Sequence, residues 1–512
     1  MNIFRWITVL ALMAVAGCAT RIPEQVLSIR SLSQGVPLAE SKPGGTGNFE
    51  GIERLARDAD GKILINVLLV HGIGWTQQAA MKQTGFDFID TLEAAYGVRP
   101  GTFTSGIARL CSQSSDKVMD PSRYQVGGLR IRSSVQPIRF YTDDPLSPVV
   151  SSELACMDRI DISLGDSGMV HLYRLLWDDA FYNTFQYPHL GYDDGVFGGH
   201  ERAASGYGGY ENIDGLRLRL NRDYKTSLIT YGLSDAAMYI GPAGRLLRDA
   251  VRGGLCAVIN DATGQTREFA DIWSSSQPVA MREVQVKTLC ETNGEIRRSP
   301  PLVVIAESLG SRIVFDVLAR MRTEARLDGN GSWDAILPQK LAQMGGKALE
   351  VYLMANQIPL IANGAVSSTG PTSPPNAVNK ALRFIAFSEI NDLLTYELVP
   401  YFEHLAYLRC WGMEAMPEAY PDCADAGANK STVELVRRLK PSSEQRQKLV
   451  KELGFDVVDV RLQFAQRTNP LVSDLADPIE AHTGHLRHKL VRDLLLCGSE
   501  QGAVNRHDCG SQ

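Results

Sequence analysis

Ser308 stands in the run Val303-Val304-Ile305-Ala306-Glu307-Ser308-Leu309-Gly310-Ser311, with a small residue two places before it and another two places after it. An apolar run leads in and a helical pattern leads out, so the serine falls where a buried strand turns sharply into a helix. Small residues suit both flanks of a nucleophile on such a turn, because a larger side chain would collide as strand becomes helix. The turn would lift the Ser308 hydroxyl to the carboxyl end of a sheet, where α/β proteins bind ligands. It would also place the Leu309 amide at a helix N-terminus, ready to stabilise an oxyanion. An ordinary strand-to-helix turn uses small residues too, and Ala306 stands where a nucleophile turn most often has glycine. The steric requirement is met either way.

A second turn with chemical content is His71-Gly72-Ile73-Gly74, directly after an apolar run. Glycine lets a backbone approach a ligand closely, and the Ile73 amide there can serve as a second oxyanion donor. His71 has three readings: a base, a metal ligand, or a packed ring that props the loop together with Gly72. The structural role is preferred.

These two turns need a scaffold, and the chain supplies the parts of one. Residues 63–70 are apolar except for Asn66, as in a strand buried on both faces of a parallel sheet. A helical pattern covers 77–96. Further strands are predicted at 302–306, 349–354, 383–387 and 456–464, with a helix over 309–322. Strands alternating with helices predict a doubly wound, mostly parallel α/β sheet. The catalytic domain is read over 61–500. Between 112 and 300 the rhythm is lost. "IRFYTD" and "VHLYRLLWDD" read as strands, 191–215 as a Gly- and Tyr-rich loop, and 216–258 as mostly helical with a break near Gly241-Pro242. This stretch is expected to be an insertion or cap.

Of 512 residues 44% are hydrophobic and 21% charged, the composition of a globular chain with ample core material. The net charge of −6 and the lack of a long basic run argue against nucleic acid as a partner. The opening "MNIFRWITVLALMAVAGCAT" has a basic start at Arg5, an apolar stretch over 6–16 and a small-residue ending, the layout of an export signal. That stretch is shorter than the roughly 20 apolar residues a membrane-spanning helix needs. Val15-Ala16-Gly17-Cys18 resembles the bacterial lipobox. The resemblance implies removal of 1–17, acylation of Cys18, and tethering to a membrane of the bacterial envelope facing the periplasm. Ala19 points to the outer membrane. A plain signal peptide with an incidental Cys18 is the alternative. Residues 18–60, rich in Gly, Ser and Pro, read as the tether, and 501–512 as a tail. Eight cysteines remain, and an even count in an exported chain suggests disulfides. Short loops close at least cost, which favours pairing neighbours: 111–156, 256–290, 410–423 and 497–509. No Cys/His spacing for zinc occurs, and neither metal nor organic cofactor is expected.

Together the two turns resemble the α/β-hydrolase superfamily of serine esterases and lipases, whose chain order is nucleophile, acid, histidine. The resemblance covers about 63–75, 302–325, 349–400 and 456–497. Asp392-Leu393-Leu394-Thr395-Tyr396 is similar to the Asp-x-x-x-Tyr segment of DDHD-type phospholipases, which implies Asp392 as the triad acid. Glu389 is the rival acid, and either carboxylate could instead cap a helix. In "AHTGHLRHKL", His482 takes the position of that family's histidine, while His485 stands near where an aromatic is usual. The resemblance implies His482 as the base for Ser308, with His485 as the alternative. His482, His485 and His488 also share part of a helical face, so a metal site or a surface cluster remains open. The implied activity is hydrolysis of carboxylic esters, with lipid or phospholipid acyl esters or a small ester as substrate. The rival expectation is an inactive α/β-hydrolase fold serving as a binding or assembly factor in the envelope.

Overall fold

Val67, Leu68, Leu69 and Val70 have at most 3% of their surface exposed in the computed structural model of the chain, as a run sandwiched on both faces requires. The structure describes residues 22–33, 48–57, 61–72, 87–92, 95, 125–126, 129–142, 152–177, 234–241, 244–262, 300–327, 349–362, 382–403, 443–469, 472–500 and 503–504. The strands in chain order are β1 (Gln25–Ser31), β2 (Phe49–Glu50), β3 (Ile63–Val70), β4 (Gln125–Val126), β5 (Leu129–Thr142) and β6 (Ser152–Ser163). Then come β7 (Gly168–Leu176), β8 (Leu302–Glu307), β9 (Leu349–Met354), β10 (Leu382–Glu389) and β11 (Asp456–Gln463). The helices that matter here are α1 (Ser234–Ile240), α2 (Gly244–Ala262), α3 (Leu309–Leu327), α4 (Pro478–Thr483) and α5 (Lys489–Cys497). Strands alternate with helices in a mixed sheet whose inner strands run parallel, which makes the fold α/β.

The chain divides into two units. The serine-bearing unit comprises Leu55–Tyr352, Ile361–Thr372 and Gln512; the histidine-bearing unit comprises Met1–Arg54, Leu353–Leu360 and Ser373–Ser511. In the serine-bearing unit the strand order is β8-β3-β7-β6-β5-β4. Strand β3 runs parallel to both neighbours, with Val70 opposite Ala306 on β8 and opposite Leu175 on β7. Asn66, the polar break in β3, is buried and earns its place. Its side chain donates to the Pro300 carbonyl at 3.2 Å and its backbone amide to the Pro301 carbonyl at 2.9 Å. Both bonds fasten β3 to the start of β8.

The stretch 112–300 departs from the expectation of an insertion or cap. Its described strands extend the sheet itself: β7 pairs with β3, and β6, β5 and β4 continue in antiparallel order. Half-polar strands of this kind lack the continuous apolar signature of a strand covered on both sides. Arg159 and Asp161 on β6 and His171 on β7 form one such polar cluster, with His171 Nδ1 and Asp161 2.7 Å apart. The predicted helical break is present, since α1 and α2 are separate helices flanking Gly241. Leu247, Ala250, Val251, Leu255 and Val258 of α2 recur at helical spacing and are fully buried, and α2 packs on α3 and β6. Helix α1 docks on α3 through polar groups: the Tyr239 hydroxyl and the Arg312 guanidinium both donate to Asp316.

In the histidine-bearing unit β10 and β11 are parallel, from Arg383 opposite Asp456 to Glu389 opposite Leu462. Strand β1 covers the far edge of β11 antiparallel, with Ile29 opposite Val460. Part of the stretch expected to be a tether is therefore sheet. The Gly-, Ser- and Pro-rich composition of 18–60 averages over "QVLSIRS", where Ile29 is fully buried and Ser31, with Ser33, binds Asp456. The signal segment 1–17 and Cys18 lie outside the described residues. Among the described residues no helix is long and apolar enough to cross a membrane. Cys256 and Cys497 each take part in a disulfide, and Cys111, Cys290, Cys410, Cys423 and Cys509 lie outside the described residues.

A structural strand and a tether answer differently to a cavity. Ile29→Ala should lower unfolding free energy by about 2–5 kcal/mol, the usual range for a fully buried aliphatic. A denaturant midpoint unchanged from wild type would return 25–31 to the tether.

Candidate active site

The serine turn is built from strain and close approach. Ser308 has φ 53°, one of two positive-φ residues other than glycine among the described residues. Such a backbone costs about 1–3 kcal/mol and persists only where its surroundings impose it. Here they do. The Ser311 amide donates to the Ser308 carbonyl at 3.0 Å, and the Ser311 hydroxyl reaches back to the Ala306 carbonyl at 2.9 Å. A Cβ on Gly310 would overlap the His71 carbonyl oxygen, so the start of α3 lies hard against the turn after β3. A Cβ on Gly72 would overlap the Ser308 Cβ. The two glycine turns expected to share a site therefore touch. Ser308 itself is 4% exposed, and Leu309 opens α3 with its side chain fully buried.

His71 braces this contact. Its Nε2 accepts from the Trp177 amide at 3.2 Å, which leaves Nδ1 to carry the proton and donate to the Gly72 carbonyl at 2.7 Å. The Trp177 indole N–H donates to the His71 carbonyl at 3.1 Å, and the two rings stack with centroids 5.0 Å apart. With both nitrogens engaged, the ring fixes the loop rather than moving protons. Trp177 directly follows β7 as His71 directly follows β3, a partnership that becomes visible only once the two strands are paired. Ile73 lies outside the described residues.

The acid and the histidine meet within the other unit. Asp392 Oδ2 accepts from His482 Nδ1 at 2.8 Å. The Leu394 amide donates to Oδ1 at 2.9 Å, and the Thr395 hydroxyl donates to Oδ2. Burial alone would raise the Asp392 pKa, but the hydrogen bond and charge of His482, with Thr395 and Leu394, hold it below its ordinary value. The carboxylate stays ionised and fixes Nδ1 as the nitrogen that carries the proton facing it. Helix α4 positions that ring. Asp477 caps it by accepting from the Ile479 and Glu480 amides at 2.9 and 3.1 Å, and Pro478 occupies the first turn, where its missing N–H costs nothing.

The rivals are accounted for by their partners. Glu389 accepts from both the backbone and side chain of Asn391 and from the Phe464 amide at 3.3 Å, so it ties the end of β10 to the chain after β11. His485 is 1% exposed and packs edge-on against Phe464, with burial pushing its pKa down to about 4. It is a neutral core group. His488 stacks on Phe464 and lies between Glu24 at 3.2 Å and Glu480 at 3.5 Å. The three histidines thus have three separate environments, and among the described residues no group of His, Cys, Asp and Glu is spaced for a metal.

Two supports for the acid turn have no local signature. The Asn356 side chain, just past β9, donates to the Tyr396 carbonyl at 3.0 Å. Asp459 on β11 is fully buried and accepts from the Leu398 and Val399 amides at 2.9 and 2.7 Å. Both residues read as unremarkable polar positions until β9, β10 and β11 are assembled.

Compared with known proteins, the chain matches no family model, no curated protein and no solved structure. What its residues establish is an α/β class of protein with two adjoining glycine turns in one unit and a buried Asp–His pair in the other.

The depressed Asp392 pKa sets a pH window. Its contribution to stability is fully present above the ordinary 3.8 and is lost as pH falls through the lower folded value. Asp392→Asn lacks this term. Urea unfolding of both proteins across the acid range should show a wild-type advantage above 3.8 that shrinks as pH falls. An advantage that is constant with pH would contradict the depression.

Proposed function

We propose that the protein is a lipid-anchored serine hydrolase of the α/β-hydrolase type that cleaves carboxylic esters, with lipid or phospholipid acyl esters as its substrate class. The observation that carries this reading is the buried Asp392–His482 bond, formed between two late segments that follow β10 and β11. The strained Ser308 turn pressed against Gly72 supports it.

In this mechanism Ser308 Oγ attacks the ester carbonyl carbon while His482 Nε2 accepts the hydroxyl proton. The carbonyl electron pair moves to oxygen, where the Leu309 and Ile73 amides stabilise the negative charge. Asp392 holds the imidazole in the tautomer that leaves Nε2 basic and stabilises the imidazolium that forms. Collapse of the intermediate breaks the ester C–O bond, and the leaving alkoxide takes the proton from His482. Water then attacks the acyl-serine and gives its proton to His482. The acid leaves, and Ser308 regains its proton. No metal or organic cofactor enters these steps. Acylation of Cys18 would place the enzyme at an envelope membrane beside its substrate.

A fluorophosphonate probe should label the wild-type protein and leave Ser308→Ala unlabelled. His482→Ala should lower kcat on a soluble short-chain ester by roughly 10⁴-fold or more, while His485→Leu should cost far less. Labelling that survives Ser308→Ala, or a larger loss in His485→Leu than in His482→Ala, would overturn the assignment.

A further inference from the structure

Four large apolar side chains stand exposed on the histidine-bearing unit: Ile390 at 42%, Leu393 at 71%, Tyr396 at 48% and Ile479 at 51%. Three come from the turn that carries Asp392, and the fourth from α4, which carries His482. The Asp392–His482 bond at 2.8 Å joins the two segments. Single exposed hydrophobes are ordinary. A group on two linked segments calls for a partner.

The N-terminal path indicates which partner. Ile22 is bound on both sides by Gln466, whose side chain accepts from its amide at 3.0 Å and donates to its carbonyl at 3.0 Å. Gln466 in turn adjoins α4: its amide donates to Glu480 at 2.8 Å, and its carbonyl accepts from the Asp477 amide at 2.8 Å. Glu24 adds a contact to His488, which also faces Glu480. The chain is thereby clamped to the elements that hold Ile479, only four residues after Cys18. Four fully extended residues reach at most about 14 Å. An acylated Cys18 would hold this end of the unit within that distance of the bilayer.

We infer that Ile390, Leu393, Tyr396 and Ile479 form a docking surface for the lipid bilayer to which Cys18 is tethered. The inference rests on the anchored-hydrolase reading and deepens it. Partial insertion of these side chains would set the base-bearing helix and the acid turn at the lipid surface, where an acyl ester substrate resides. The affinity comes from apolar area withdrawn from water and needs no anionic headgroup. A net charge of −6 would oppose attraction to one.

The test separates the surface from the anchor. The mature chain, residues 18–512 with Cys18→Ser, is exported behind a cleavable signal and pelleted with vesicles of phosphatidylcholine and phosphatidylethanolamine. The unlipidated chain should partition onto the vesicles. Leu393→Asp with Ile479→Asp should reduce that partition by about tenfold or more, and Leu393→Ile with Ile479→Leu should keep it. Equal pelleting of the acidic variant, no pelleting of the parent, or loss in the apolar exchange would overturn the inference. Fluorophosphonate labelling of the same parent chain is read in parallel. Absent labelling with intact vesicle binding refutes the hydrolase and leaves the surface standing, whereas normal labelling without vesicle binding does the reverse.

Discussion

Two backbones pressed together at the ends of β3 and β8 govern the serine-bearing unit. The parallel register puts Val70 opposite Ala306, so the chain leaves both strands at the same edge. From that approach follow the need for Gly72 and Gly310, which admit no Cβ, and the left-handed backbone of Ser308. The strain is borne by a long helix behind the turn and a strand buried from Leu302 to Ala306 before it. His71 belongs to the same constraint. Its ring, flat against Trp177 and bonded at both nitrogens, keeps the β3 turn from relaxing away from the serine.

The histidine-bearing unit meets a different problem, that of keeping a charge inside a protein. An isolated buried carboxylate would take up a proton. Asp392 avoids this because three donors converge on its two oxygens. The surrounding turn is held by Asn356, just past β9, and by Asp459 on β11, so the carboxylate does not depend on its own short segment for its geometry. The neighbouring His485 shows the opposite solution, in which burial removes the charge instead of compensating it. Two histidines three positions apart thus differ in character because one has a carboxylate on Nδ1 and the other has Phe464 against its ring.

Apolar surface left uncovered near that pair sets the unit apart from a simple core. Leu393 and Ile479 are each more than half exposed on segments whose neighbouring residues are hydrogen-bonded. The same end of the unit receives the N-terminal strand, through Gln466 and Ile22. The chain from Ile22 onward, the exposed hydrophobes and the acid–histidine pair are thereby linked through a few short contacts within one unit.

Much of this was legible residue by residue. The apolar run 63–70 and the small residues around Ser308 carry local steric requirements that any fold must satisfy, whereas Asp392 and His482 were singled out by a resemblance. The break between α1 and α2 was legible for the same reason, since Gly241-Pro242 interrupts a helix wherever it occurs. Other features depended on partners distant in the chain. "QVLSIRS" became a strand because β11 offered an edge, and 129–142 and 152–176 joined the sheet because β7 found β3. Which of Asp392 and Glu389 pairs with a histidine was likewise a tertiary matter, since His482 reaches Asp392 while Asn391 and Phe464 occupy Glu389. Local patterns record what a residue can do; strand register and burial determine which neighbour it does it with.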